Sequence, residues 1–192
     1  MNRLHVKKIV TIISILIFSI SISEANKTKK IKTNDIMEMI MEDKSEDLSN
    51  WLKQGNSANT VLLENFSLIS LSVYDACRPK VLKVLLDKGV DPNSTGGPIK
   101  KPIVLNAAEH KNTECLNLLI KYGVQLDSID KNGNNAYHYA LLSNNKKSID
   151  ILYETGLDLF QRNNNGLTFI DAAVLTDKSS LVKDVLENYR KR

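Results

Sequence analysis

The chain has 192 residues, with 26 Lys and Arg against 22 Asp and Glu and a formal net charge of +4. So slight a positive balance, with no basic stripe carrying interleaved aromatics, speaks against a nucleic-acid protein. Three histidines and two cysteines leave few partners for a catalytic triad or a metal site.

Arg3, Lys7 and Lys8 precede an uncharged run, Ile9 to Ile22, and then Ser23-Glu24-Ala25. A basic start, a short apolar run and small residues at a cleavage point make a secretory signal peptide of residues 1–25. The run is shorter than the roughly 20 residues of a membrane span. Cleavage near Ala25 leaves an exported chain without a membrane span, periplasmic or secreted. Residues 26–33 read as a basic linker, with Lys27, Lys29, Lys30 and Lys32. What remains is enough for one domain.

From there the chain repeats itself. Gly55, Gly89, Gly123 and Gly156 recur at intervals of 34, 34 and 33 residues, each behind an apolar stretch such as Leu119-Ile120-Lys121-Tyr122. A fixed period of this size predicts stacked supersecondary units. Glycine after a helix supplies the left-handed conformation that ends it. Val81 to Leu86, then Ile149, Ile151 and Leu152, then Leu181, Val182, Val185 and Leu186 predict second helices with one buried stripe each. Asp130-Lys131-Asn132-Gly133 is a turn sequence. Ala140 and Ala173 are small enough for the helices that carry them to approach their neighbours closely.

Asp130-Lys131-Asn132-Gly133-Asn134-Asn135-Ala136-Tyr137-His138-Tyr139-Ala140 resembles the opening of the ankyrin repeat, D-x-x-G-x-T-P-L-H-x-A. Asn135 stands at Thr, Ala136 at Pro and Tyr137 at Leu. Asn163 to Ala173 matches the same pattern 33 residues later through Gly166, Thr168 and Ala173. Pro102 to Ala108 keeps the slot with fewer identities. Leu68 to Tyr74 keeps almost none, although Gly89-Val90-Asp91-Pro92-Asn93 resembles a repeat ending. The resemblance covers residues 34–192, with atypical units at the start. It implies an all-α solenoid of four to five helix-turn-helix units joined by β-turn-like loops.

The resemblance also implies a role for His138, which should bond to backbone and hold its turn. His110, near the end of a first helix, is expected at the surface. Trp51 is expected in the core of the first unit. Cys77 falls between the helices of one unit and Cys115 at the start of a second helix in the next; a disulfide and two free thiols both remain open at this point.

Sequence motifs for hydrolase, P-loop or dinucleotide chemistry do not occur, so the chain is expected to be no enzyme and to need no cofactor or metal. The resemblance implies protein binding through turn tips and first-helix surfaces. The tip candidates are Ile129, Lys131, Asn132 and Asn134, then Arg162, Asn164, Asn165 and Leu167. The first-helix candidates are Asp75, Glu109, His110, Ser143 and Thr176. The irregular segment Ser94 to Lys101 adds Lys100 and Lys101, as either a binding loop or tolerated drift. Expected partners are a toxin such as a secreted lipase, which an immunity protein would occlude, or a periplasmic enzyme such as catalase, or a host protein. No nucleic acid is expected, and the chain alone should be a monomer.

Overall fold

The computed structural model describes residues 33–63 and 65–191, the Leu63 side chain excepted. The signal segment 1–25 and all of the linker except Thr33 lie outside the described residues. The chain divides into two units, Met1–Ile36 and Met37–Arg192. Of the first, only the opening turn of a helix is described. The second holds the helix pairs and the hairpins.

Helix α1 spans Thr33–Met41 and α2 Ser45–Lys53. A short hairpin comes next, β1 (Val61–Leu63) antiparallel to β2 (Phe66–Ser67). After it come α3 (Leu68–Leu71) and α4 (Pro79–Asp87). A second hairpin pairs β3 (Thr95–Gly96) with β4 (Lys101–Pro102). Helices α5 (Ile103–Glu109) and α6 (Glu114–Lys121) form the next pair, and α7 (Ala136–Leu142) and α8 (Lys146–Glu154) the one after. The last is α9 (Phe169–Leu175), a 3-10 turn at Ser179–Leu181, and α10 (Lys183–Arg190).

Each pair is written locally. Pro79 opens α4, where its missing N–H costs nothing. Val81, Leu82, Leu85 and Leu86 then put one face of that helix inside. Asn135 caps α7 and Thr168 caps α9, each accepting from the backbone N–H three residues on. Helices α2, α4, α6 and α8 are closed by the four periodic glycines, with φ of 92°, 77°, 78° and 79°.

No pair can bury its apolar face alone, so the pairs stack. First helices pack side by side, α5 on α7 and α7 on α9. Second helices do the same, α2 on α4, α4 on α6 and α8 on α10. Leu82, Leu85, Leu105, Leu116, Leu119, Ile149 and Leu152 are all fully buried between them. Each contributes about 1.5–3 kcal/mol of hydrophobic free energy. Trp51 sits in the core of the first pair as expected, and so do Ile149, Leu152, Val182 and Val185. Ile151, Leu181 and Leu186 are only half-buried, and Tyr153 takes the core place next to Leu152.

Two features go beyond what the sequence pattern predicts. The tips of the second and third pairs are hairpins rather than single turns, and Ser94 to Lys101 makes one of them. Cys77 and Cys115 form a disulfide with their Cα atoms 5.7 Å apart. Cys77 lies on the non-helical stretch between α3 and α4, which reaches over to the first turn of α6. The Cys115 N–H also donates to Cys77 Sγ at 3.1 Å. The bond therefore staples two neighbouring pairs to each other.

Candidate protein-binding surface

The turn tips of the last two pairs are fixed by their own side chains. Asp130 Oδ1 accepts the N–H groups of Asn132 and Asn134, both at 2.8 Å. Its Oδ2 accepts the Tyr139 hydroxyl at 2.9 Å. Burial works against ionisation of Asp130, but these donors outweigh it and hold its pKa below the ordinary value. Burial, and then Asp130 itself, push the Tyr139 pKa up.

Neighbouring tips are then laced together. Asn164 N–H donates to the Asn132 carbonyl at 2.9 Å, Asn164 Nδ2 to the Lys131 carbonyl at 3.0 Å, and Asn163 Nδ2 to Asn134 Oδ1 at 2.9 Å. Gly133 has to be glycine here: its φ is 76°, and a Cβ would meet Asn164 Oδ1 at 2.6 Å.

His138 links the same two pairs from within. Its ring Nδ1 lies 2.7 Å from Asn135 Oδ1 and its Nε2 3.3 Å from the Leu167 carbonyl. The ring is 4% exposed, and burial lowers its pKa. This is the turn-holding role expected of it. His110 differs from expectation. It is half-buried, with Nε2 2.8 Å from the Val73 carbonyl. The first helix ends beside the preceding pair, and the ring fills that seam.

The proposed tip residues thus divide by environment. Ile129, Lys131, Asn132, Arg162, Asn164 and Asn165 are exposed, while Asn134 and Leu167 are half-buried. Arg162 is bent back on its own turn, donating to the Gly166 carbonyl at 2.5 Å and facing Asp171 at 3.3 Å. Lys100 is exposed at the hairpin tip with φ of 49°. Lys101 is drawn inward, 3.1 Å from Glu109 and 4.3 Å above the Tyr139 ring centre.

Ser143 and Thr176 directly follow the last residues of α7 and α9, in the same register as His110, and Asp75 takes that register on the loop after α3. Asp75 and Thr176 are exposed and Ser143 is half-buried. Asp75 is 2.6 Å from Arg78 Nη1, and that guanidinium lowers its pKa. Arg78 itself is buried, and also donates to the carbonyls of Met41, Leu71 and Ala76.

One register position earlier lies a row that the sequence pattern does not single out: Tyr74, Glu109, Leu142 and Leu175. Leu142 and Leu175 are 63% and 70% exposed, and Tyr74 41%. In the sequence, Leu141-Leu142 and Val174-Leu175 read as continuous helical apolar runs. Stacking buries Leu141 but leaves Leu142 outside. Tyr74 is braced by Phe66, edge to face at 4.8 Å. Exposed apolar side chains aligned on successive units form a surface that gains by being covered.

Among the described residues no group of three or more His, Cys, Asp or Glu could hold a metal ion. No described helix is long and apolar enough to cross a membrane.

The stacked helix pairs, the laced turn tips and the buried turn histidine define an ankyrin-type array. The family model of ankyrin repeats, built of three copies, matches residues 69–163 and again 104–191. The chain belongs to the ankyrin-repeat family, whose members are generally non-catalytic protein-binding scaffolds. It is 40% identical over 70 residues to ankyrin repeat protein L271 of Acanthamoeba polyphaga mimivirus, covering 35% of this chain and 10% of the relative. It is 25% identical over 172 residues to ankyrin repeat protein FPV222 of fowlpox virus, covering 85% of this chain and 23% of the relative. It is also 38% identical over 73 residues to a protein of Danio rerio named as palmitoyltransferase ZDHHC13, covering 38% of this chain and 11% of that one. The chain thus spans between a tenth and a quarter of the length of these relatives.

Proposed function

We propose that this ankyrin array is an exported immunity protein, which captures one secreted toxin in the periplasm and covers its active site. The observation that carries the binding surface is the pair of exposed leucines, Leu142 and Leu175, at the ends of the adjacent helices α7 and α9, with exposed Tyr74 at the same register on the loop after α3, two units before Leu142. Export is supported by the order of residues 1–25 and by the Cys77–Cys115 bond, since disulfides persist in oxidising compartments.

The test is a pull-down from the native envelope fraction with the tagged mature protein and with its Leu142→Glu/Leu175→Glu variant. Mass spectrometry identifies what each retains. The expected result is a toxin-like lipase or other hydrolase held by the parent protein and lost by the variant, with rescue of toxin-exposed cells by the parent alone. Recovery of only a resident enzyme such as catalase would overturn the immunity role. Equal recovery by both proteins would overturn the surface.

A further inference from the structure

Two Asn-Gly pairs, Asn132-Gly133 and Asn165-Gly166, hold the same place in the last two turn tips. Such a pair can react with itself. The glycine nitrogen lies open to approach because its residue has no Cβ, and the asparagine Cγ is held close to it within the chain. A bond forms between that nitrogen and Cγ, and the Cγ–Nδ2 bond breaks. The nitrogen gives its proton to water, while the leaving amide takes one up and departs as ammonia. The product is a cyclic succinimide. Water then opens the ring at either carbonyl, leaving aspartate or isoaspartate. Water is the one co-reactant.

The two turns share their internal bonds. Gly133 N–H donates to the Asp130 carbonyl at 3.0 Å, and Gly166 N–H to the Asn163 carbonyl at 2.9 Å. Asn132 and Asn165 are both exposed, and each N–H is accepted by the side chain two residues back, Asp130 Oδ1 or Asn163 Oδ1. Their surroundings differ in room and in charge.

Ring closure must swing the peptide between asparagine and glycine. In the first turn that peptide is pinned, because the Asn132 carbonyl accepts Asn164 N–H at 2.9 Å. Gly133 is also buried, and a Cβ on it would meet Asn164 N at 2.8 Å and Asn163 Cα at 3.1 Å. In the second turn Gly166 is exposed, with nothing within 4 Å of the same position. Among the described residues, Asn165 is held there only by its N–H to Asn163 Oδ1 at 3.0 Å.

Charge acts in the same direction. The attacking nitrogen becomes negative as it loses its proton, so a neighbouring anion opposes the step and a cation favours it. In the first turn the Asp130 carboxylate accepts the N–H groups on either side of Gly133, from Asn132 and Asn134. Lys131 beside it is exposed, where water and salt screen its charge. In the second turn the neutral Asn163 takes the place of Asp130. Arg162 donates to the Gly166 carbonyl at 2.5 Å, its charge offset in part by Asp171 at 3.3 Å.

We propose that Asn165 is a spontaneous modification site, converted through a succinimide with Gly166 to aspartate and isoaspartate, while Asn132 is protected by the tip that follows it. Conversion puts a new carboxylate into the turn that holds Arg162. The isoaspartate form also adds a methylene to the turn backbone. The last tip thus changes charge with age, and the laced tip keeps its own. This site lies apart from the exposed leucines and stands whether or not the immunity role does.

The test ages the purified protein at mildly alkaline pH, folded in buffer and unfolded in urea. Peptide mapping by mass spectrometry follows each asparagine, and an isoaspartyl methyltransferase counts isoaspartate. In the folded protein Asn165 should convert about tenfold faster than Asn132, giving both products; in urea the two rates should come within about threefold. Asp130→Asn/Asn164→Ala, with its helical circular dichroism retained, should raise the Asn132 rate by about threefold or more. Asn165→Gln should abolish conversion in the last turn. Equal rates in the folded protein, or no conversion of Asn165, overturn the proposal. So does a tenfold gap that persists in urea, which would assign it to local sequence. Aspartate without isoaspartate would show direct hydrolysis and overturn the ring, and an Asn132 rate unmoved in the double variant would overturn the protection.

Discussion

The disulfide closes a loop of 38 residues between two stacked pairs. In the chain-entropy description, a loop of that length removes about 4 kcal/mol of freedom from the unfolded chain. For a protein of this size each kcal/mol moves the melting temperature by about 2–4 °C. Losing the bond should therefore lower it by roughly 8–16 °C. The assay is thermal unfolding followed by helical circular dichroism, on the oxidised protein, the reduced protein and the Cys77→Ala/Cys115→Ala variant. Reduction keeps every side-chain atom, so agreement between the last two assigns the loss to the cross-link rather than to packing at the buried Cys115. Because an array can lose its ends first, the expected signature is a steeper early loss as well as a lower midpoint. A reduced protein that melts within about 2 °C of the oxidised one would refute the reasoning.

Buried polar groups give two further outcomes. Arg78→Ala removes the donor to three backbone carbonyls as well as the Asp75 ion pair; urea unfolding should show a loss of about 3 kcal/mol, since orphaned buried acceptors cost about 1–3 kcal/mol each. Burial lowers the His138 pKa below its ordinary 6.5, so the unfolded chain takes up a proton that the folded chain resists. That contribution to stability is complete above about pH 6.5 and is lost as the pH falls below it. Denaturation measured from about pH 7.5 down to pH 5.5 should show the decline, and His138→Gln should flatten that part of the curve.

The period of the glycines and the match at Asp130 to Ala140 made the stacking legible, because both are local statements about where a helix must stop or a turn must form. Trp51, Ile149 and Leu152 fell in the core for the same reason. The hairpins at the second and third tips were not legible: each involves only two or three residues per strand, too few for an alternating pattern. The disulfide stayed open because spacing alone cannot say how far an interhelical loop reaches, and the stretch from Ser72 to Arg78 reaches to α6. The row through Tyr74, Leu142 and Leu175 was hidden for a different reason. A helical apolar run does not declare which of two adjacent leucines the next unit will cover.

The two kinds of turn tip differ in what they would do with extra chain. At the second hairpin, Pro98, Ile99 and Lys100 are exposed, and the turn is closed by the Lys100 N–H donating to the Gly97 carbonyl at 3.0 Å, with the Gly97 N–H donating to the Asn65 carbonyl at 3.1 Å. At the later tip, every residue from Lys131 to Asn134 either accepts from or abuts Asn163 or Asn164 of the next tip, and one inserted residue would shift those partners out of register. The molecule thus offers one natural graft point, between Pro98 and Ile99, where a tag or foreign epitope can be carried without disturbing the stack. The Asn-rich tip beyond it tolerates no such cargo.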